Sequence, residues 1–210
     1  MFHPRIRLAL TVVIACCAAA ILAVVVASGS SGGGGPTVIV QHGFAGALRP
    51  PQIPPKDFSL RDQDGDLTSL HQYRGQPVIL TFMYSTCQNT CPIMADQIRG
   101  AMDDLGHDVP ALAISVDPRN DTPLNAKRFL LKHALVDRMR FLLGTRVQLR
   151  PIWKAYGIQP QGSRFDHSAY VLLIDKRGRQ RVGFPMSELT PEGLAHDVNV
   201  LQSEQIRSLQ

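Results

Sequence analysis

The alternation of apolar runs with helical segments after residue 57 constrains the fold more than any other feature of the sequence. Continuous runs of β-branched and aromatic residues, such as 76–85 and 111–117, are typical of strands that are buried on both faces. Segments such as 92–106, in which apolar residues recur at helical spacing before a glycine, are typical of helices. Strands that alternate with helices predict an α/β fold whose sheet contains parallel pairs.

Turn and cap residues divide this region further. Asp64-Gly65 lies between two short alternating runs and predicts a β-hairpin ahead of the main sheet. Thr122 and Pro123 are residue types preferred at a helix start, and Pro151 predicts an interruption of the helix over 145–157. The remaining predicted elements are strands at 139–144, 167–175 and 180–184, the last two joined by a turn, and helices at 120–135 and 190–209.

The N-terminus predicts a membrane anchor. Residues 8–27 are 20 residues without a charge, long enough as a helix to span a hydrocarbon core of ~30 Å. Arg5 and Arg7 place residues 1–7 in the cytoplasm and the C-terminal domain on the extracytoplasmic side of the plasma (inner) membrane, in a single-pass protein. A cleaved signal peptide is a second interpretation, although its apolar region usually runs only ~7–15 residues. A lipoprotein modified at Cys16 is a third, although the apolar run continues beyond that residue.

Residues 28–55 are rich in glycine, serine and proline and predict a flexible linker, which leaves 56–210 as the domain. The apolar stretch 37–48 does not fit a solvated coil, and docking on the domain is one interpretation of it. The formal net charge is +5, but three of the 22 basic residues precede the domain. The domain therefore contains 19 basic residues and all 17 acidic residues, and its net charge is close to zero. A domain so close to neutral argues against a nucleic-acid partner.

Cys87 and Cys91 lie between a predicted buried strand and a predicted helix start, with Pro92 directly after them. At a helix N-terminus the free N–H groups and the dipole favour a thiolate. Three intervening residues place both sulfurs on one face of a helical turn, where they can act as a redox dithiol, bind a soft metal ion or close a disulfide. A purely structural disulfide is disfavoured, because so short a loop constrains little unfolded-chain entropy.

The histidines are the other side chains that could act as metal ligands. His71, His107, His133 and His196 lie in helical or polar contexts and are predicted to be solvated. His167 differs because it opens an apolar strand, yet by pattern alone a histidine there is more often a satisfied polar residue than a ligand.

From about Lys56 to its end the chain resembles the Sco/SenC family of copper-binding proteins, which have a thioredoxin-like fold and serve cytochrome c oxidase assembly. The resemblance rests on four stretches in the expected order: DFSLRDQDG, FMYSTCQNTCPIM, SVDPRNDTP and DHSAYVLLID. It implies a thioredoxin-like fold and one copper ion per chain, with Cys87, Cys91 and His167 as ligands. The family often has proline after the first cysteine, where this chain has Gln88.

Two thiolates and an imidazole suit Cu(I) and can also hold Cu(II), and loading requires reduced cysteines. Asp117 and Asp121 match a family segment near the site and are interpreted as loop-turn and helix-cap residues. Met83, Met94 and Met186 are interpreted as core residues rather than as additional ligands.

The resemblance therefore implies a membrane-anchored copper metallochaperone, which takes copper from a donor protein and delivers it to the dinuclear copper centre of an oxidase subunit. Since no substrate is turned over, we do not expect an enzyme. The alternative is a thiol-disulfide oxidoreductase that reduces the copper-binding cysteines of the oxidase. A thiol peroxidase is disfavoured, because Tyr84 and Leu80 stand where such enzymes have threonine and proline.

Overall fold

The computed structural model describes residues 40, 43–159 and 170–205. The predicted membrane anchor, the first part of the predicted linker and His167 lie outside these residues. Within the described part of the chain, no helix is long and apolar enough to cross a membrane.

The described residues form strands and helices that alternate over most of the chain. The strands are β1 (Ala47–Leu48), β2 (Ser59–Arg61), β3 (Leu67–Ser69), β4 (Val78–Met83), β5 (Ala111–Ser115), β6 (Arg140–Leu142), β7 (Tyr170–Ile174) and β8 (Gln180–Pro185). The α-helices are α1 (Thr90–Leu105), α2 (Pro123–Lys132), α3 (Arg146–Tyr156) and α4 (Pro191–Ser203), and a short 3-10 helix spans Leu70–Tyr73.

One mixed sheet contains six of these strands in the order β1-β8-β7-β4-β5-β6. Strands β4, β5 and β6 are parallel, whereas β7 runs antiparallel to both β4 and β8, and β1 runs antiparallel to β8. Strands β2 and β3 form the separate hairpin predicted at Asp64-Gly65, where Gly65 has a φ of 91° that favours glycine. The predicted α/β sheet, its closing hairpin and its N-terminal hairpin are confirmed.

Each face of the sheet has its own apolar core, because successive residues of a strand point to opposite faces. From β4, Ile79 and Met83 pack with residues of α1, α2 and α4, while Leu80 and Phe82 pack with residues of α3 and the hairpin. Every residue of β4 is buried, which explains why the strand is continuously apolar in sequence. Strand β4 is thus fixed on both faces, and the two cysteines follow its C-terminal end.

Residues 43–49 lie on the edge of this sheet, although the sequence placed them in the flexible linker. Strand β1 pairs with β8, and Phe44 is buried in the core. The buried carboxylate of Asp197 accepts hydrogen bonds from Ala45 N at 2.7 Å and Gly46 N at 2.9 Å. A Cβ at residue 46 would lie 2.5 Å from Val182 Cγ1, so the close approach requires glycine. The domain therefore begins before residue 56, which agrees with the interpretation that the apolar stretch docks on it.

Pro151 does not interrupt α3, contrary to the prediction. The helix begins after Thr145, whose side chain accepts a hydrogen bond from Gln148 N, and ends at Gly157 with a φ of 68°. Proline at 151 removes the hydrogen bond to the carbonyl of Val147. Because the residue at 147 is 84% exposed, water can satisfy that carbonyl and the helix continues.

Candidate metal centre

The cysteine loop, residues 84–91, connects β4 to the first turn of α1. Cys87 N donates a hydrogen bond to Tyr84 O at 3.2 Å, which turns the chain before α1 begins at Thr90. Cys91 N then donates to Cys87 Sγ at 3.3 Å. One of the otherwise free N–H groups of the helix N-terminus is therefore used by the sulfur, and the helix favours negative charge there.

The two cysteines are both free thiols and have different surroundings. Cys91 is fully buried, whereas Cys87 is 6% exposed. Hydrogen bonding to Cys87 and, second, burial raise the pKa of the Cys91 thiol. Cys87 is the more exposed of the two sulfurs and is therefore the one that an incoming group meets first.

Asp121 holds the start of the cysteine loop in place. Its Oδ1 accepts hydrogen bonds from Ser85 N at 2.7 Å and Ser85 Oγ at 2.6 Å, and its Oδ2 accepts one from Ser115 Oγ at 2.5 Å. Although these bonds oppose the effect, burial raises the pKa of the Asp121 carboxyl. This carboxylate thus ties the end of β5 to the loop that carries the cysteines.

The role of Asp121 was missed in the sequence, where it was interpreted as a helix cap. Thr122 is the cap, since its side chain accepts a hydrogen bond from Asn125 N. The available signal was Ser115, a polar residue at the end of an apolar strand, which needs a buried partner. Asp117 is a loop-turn residue as predicted, because its carbonyl accepts hydrogen bonds from the backbone N–H groups of the residues three and four positions on.

The methionines belong to the core on the α1 side of the sheet. Met83 and Met94 are fully buried, and Met186 packs against the same core with part of its surface exposed. These positions agree with the interpretation of the methionines as core residues.

His133 is buried, although the sequence predicted it to be solvated. It is 7% exposed, its ring lies 4.7 Å from the ring of Phe129 between centroids, and its Nδ1 lies 3.0 Å from Asp96 Oδ1. The prediction failed because His133 follows a helix whose C-terminal half packs into the core, which local polarity does not reveal.

His167 lies outside the described residues, and the nearest described position after it is Tyr170. Strand β7 begins there and runs antiparallel to β4, with Val171 opposite Thr81 and Ile174 opposite Val78. Tyr170 O also accepts a hydrogen bond from Thr81 Oγ1 at 3.3 Å. Tyr170 therefore lies at the end of the sheet that carries the cysteine loop, and three residues of chain span at most ~11 Å.

No group of three His, Cys, Asp or Glu side chains that could hold a metal ion exists within the described ranges. The chemistry of the cysteine pair nevertheless suits a soft ion, since two sulfurs adjoin each other at a helix N-terminus. A metal site with three protein ligands at this pair would take its third ligand from outside the described residues.

One protein family matches most of the chain. The SCO1/SenC family model matches residues 47–202. The chain belongs to the SCO1/SenC family. The match begins at β1 rather than after the predicted linker, which agrees with the docking of residues 43–49 on the sheet. Membership of the SCO1/SenC family confirms the resemblance that the four sequence stretches indicated.

Individual SCO1/SenC relatives are similar over the domain. The SCO1 protein homolog of Bacillus subtilis is 32% identical over 144 residues, which cover 64% of this chain and 75% of the relative. The SCO2-like protein RP587 of Rickettsia prowazekii is 26% identical over 134 residues, which are 58% of this chain and only 64% of the length of that relative.

A solved SCO1/SenC homologue has the same fold. The structure of Bradyrhizobium japonicum ScoI with copper bound is 27% identical, with a TM-score of 0.57, and the match covers 70% of this chain and 98% of ScoI. The mixed sheet with helices on both faces is thus the thioredoxin-like Sco fold, and a homologue with this fold has been solved with copper bound.

Proposed function

We propose that this chain is a membrane-anchored copper metallochaperone that delivers copper to the dinuclear copper centre of a cytochrome c oxidase subunit. The observation that carries the proposal is the hydrogen bond from Cys91 N to Cys87 Sγ at 3.3 Å, which holds two reduced cysteines together at a helix N-terminus. The copper-bound ScoI of Bradyrhizobium japonicum, a homologue of the same fold, supports copper as the cargo.

The proposed ligands are Cys87, Cys91 and His167, which together form a soft three-ligand set suited to Cu(I). Since the pKa of the Cys91 thiol is raised, copper must displace the proton on that sulfur, and loading releases protons. The position of Tyr170 at the cysteine end of the sheet supports His167 as the third ligand, because the chain between them is short.

Delivery by ligand exchange would begin at Cys87. This sulfur is the more exposed of the pair, so a thiol of the recipient can reach the cargo there while Cys91 remains buried behind it. The predicted anchor at 8–27 would place this exchange at the extracytoplasmic surface of the membrane, where the oxidase subunit is embedded.

Copper analysis of the reduced full-length chain in detergent micelles tests this proposal. We expect one copper ion per chain, together with its loss in Cys87→Ser, Cys91→Ser and His167→Ala. His107→Ala is the matched control, because His107 is an exposed histidine outside the site and its removal leaves copper content unchanged. If His167→Ala holds as much copper as the wild type, His167 is not a ligand.

A thiol-disulfide oxidoreductase that reduces the copper-binding cysteines of the oxidase is the second candidate. The difference between the two cysteines favours this function. Cys87 Sγ accepts a hydrogen bond from a backbone N–H group, and it lies beside the buried Cys91 thiol, whose pKa is raised. Dithiol exchange measured in His167→Ala separates the two functions. Exchange at the wild-type rate in a variant without copper would favour the redox function over copper delivery.

A further inference from the structure

A cavity of about 260 Å³ opens between the cysteine loop and α2. Cys87 lines it from the loop, while Arg128, Lys132 and His133 line it from α2 and the residue after this helix. We name these four residues the cationic pocket. The pocket places two basic side chains beside the outer sulfur of the candidate metal centre.

Arg128 and Lys132 are both exposed, and neither has an ion-pair partner within the described part of the chain. Lys127 on the same helix differs, because its Nζ lies 2.9 Å from Asp64 Oδ1. Two like charges four residues apart on a helix repel each other and destabilise it slightly. The helix therefore carries an unfavourable charge pair on the face that borders Cys87, and an anion bound there would relieve it.

His133 adds a buried polar group to the same pocket. Its Nδ1 contacts Asp96, while its Nε2 is buried and has no hydrogen-bond partner among the described residues. Asp96 contacts this imidazole, and Asp121, which fixes the cysteine loop, accepts hydrogen bonds from Ser85 and Ser115. Neither carboxylate is paired with Arg128 or Lys132.

We propose that the cationic pocket binds the carboxylate of an acidic peptide segment whose cysteine reacts with Cys87. This inference rests on the proposed function of Cys87 and Cys91 as ligands or redox pair, and it adds the chemistry of the partner. Asp and Glu carboxylates are the anions of an unmodified peptide that pair with arginine and lysine, and a basic pocket beside the more exposed sulfur matches a peptide that carries both a carboxylate and a cysteine.

The exchange step balances from the oxidised Cys87–Cys91 pair, and its reverse is the reduction of a peptide disulfide by the two free thiols that the structure shows. A thiolate of the acidic peptide attacks Cys87 Sγ, the mixed disulfide forms, and the intramolecular disulfide breaks with Cys91 leaving as a thiolate that takes up a proton. A second peptide thiolate then attacks the peptide sulfur of the mixed disulfide. Cys87 leaves as a thiolate that takes up a proton, so that one peptide disulfide is formed and the two cysteines are returned to the reduced state.

Thiol exchange on the oxidised full-length chain tests the pocket. The probes are two peptides with one cysteine, flanked by glutamates in one peptide and by glutamines in the other, and each rate is normalised to the rate with a neutral small thiol. We expect the acidic peptide to react about three- to tenfold faster at low salt. In the double variant Arg128→Gln, Lys132→Gln the ratio falls to about one, and high salt lowers it in the wild type.

Lys154→Gln is the matched control, because Lys154 is an exposed lysine on α3, which packs with the core on the other face of the sheet. It should leave the ratio unchanged. Equal rates for the two peptides, an acidic preference that survives in the double variant, or the absence of reaction with both peptides would each overturn the proposal. A preference shown only by mercaptoacetate over mercaptoethanol would assign the pocket to small carboxylate thiols and overturn the peptide assignment.

Copper content separates this proposal from the proposed function. The double variant should bind as much copper as the wild type, because Arg128 and Lys132 are not ligands. In the double variant, loss of the peptide preference with intact copper binding supports the pocket. In the wild type, equal peptide rates together with copper binding overturn the pocket alone, whereas a peptide preference in a wild-type chain that binds no copper contradicts only the metallochaperone.

Discussion

Asp62 and Asp121 are both buried carboxylates that organise a turn, and they differ in what neutralises them. Asp62 accepts hydrogen bonds from Asp64 N and Asp66 N in the β2–β3 hairpin, and it also forms an ion pair with Arg140. Among the residues that the structure describes, Asp121 accepts hydrogen bonds from hydroxyl and N–H groups and has no cationic partner, and burial raises its pKa. The β2–β3 hairpin is therefore held by a carboxylate whose charge is compensated by an arginine, and the cysteine loop by a carboxylate without such a counterion.

Arginine counterions accompany the buried aspartates of the two hairpin turns. Asp175, another buried aspartate in a hairpin turn, also has an arginine partner, Arg179. Both turns with an arginine lie away from the cysteine loop and have only a structural part in the fold. At the cysteine loop the carboxylate of Asp121 is held instead by the hydrogen-bond donors of Ser85 and Ser115.

The largest effect should follow Asp121→Ala. Ser85 N, Ser85 Oγ and Ser115 Oγ lose their acceptor, and since an unsatisfied buried donor costs about 1–3 kcal/mol, we expect the free energy of unfolding to fall by about 2–4 kcal/mol. The released loop should also expose Cys87, so that iodoacetamide labels it severalfold faster. Urea unfolding and timed alkylation measure the two changes. A fall in stability without faster labelling would show that Asp121 does not fix the cysteine loop.

A smaller effect should follow Asp62→Ala, which removes the compensated carboxylate. Asp64 and Asp66 are exposed, so water can satisfy their N–H groups, and the side chain of Arg140 is 44% exposed. We expect a loss of about 1–3 kcal/mol in urea unfolding, with no change in the labelling of Cys87. Faster labelling in this variant would mean that the hairpin and the cysteine loop are coupled.

The sequence predicted the parts of this comparison that depend on neighbouring residues. The Asp64-Gly65 turn, the Thr122 cap and the buried strand β4 each have a local pattern with a direct physical cause. The adjacency of Cys87 and Cys91 was also visible, because the strand before them and the helix after them fix the loop between.

The missed features depend on residues that are distant in the sequence. Asp197 contacts Ala45 and Gly46 across a separation of more than 150 residues, so Gly/Pro-rich neighbours made a docked strand look like linker. Asp121 acts through Ser85, which is 36 residues away. No periodicity within a segment records such contacts, and His167 could be joined to the cysteines only through the family resemblance.

A third change, Arg140→Gln, removes the counterion and keeps the carboxylate of Asp62. Since the arginine is partly exposed and the carboxylate retains its N–H donors, we expect a loss of about 1 kcal/mol or less. The loss should shrink as salt is raised, because the exposed end of the pair is screened. Urea midpoints at two salt concentrations test this expectation, and a larger loss that ignores salt would mean that the arginine acts mainly by packing.

The smallest effect concerns the charge of Asp121 alone, in Asp121→Asn, where an amide of the same shape keeps an acceptor for Ser85. Burial raises the pKa of Asp121 in the folded chain above its ordinary value of 3.8, so the folded chain binds this proton more tightly than the unfolded chain. The resulting stability is fully present below the unfolded pKa and is lost as the pH rises through the folded pKa. The wild type should therefore gain stability relative to Asp121→Asn as the pH is lowered from 7 towards 4, and urea midpoints over this range measure the gain. A difference between the two proteins that stays constant, or that favours the wild type more at high pH, would show that the carboxylate is compensated after all, as Asp62 is.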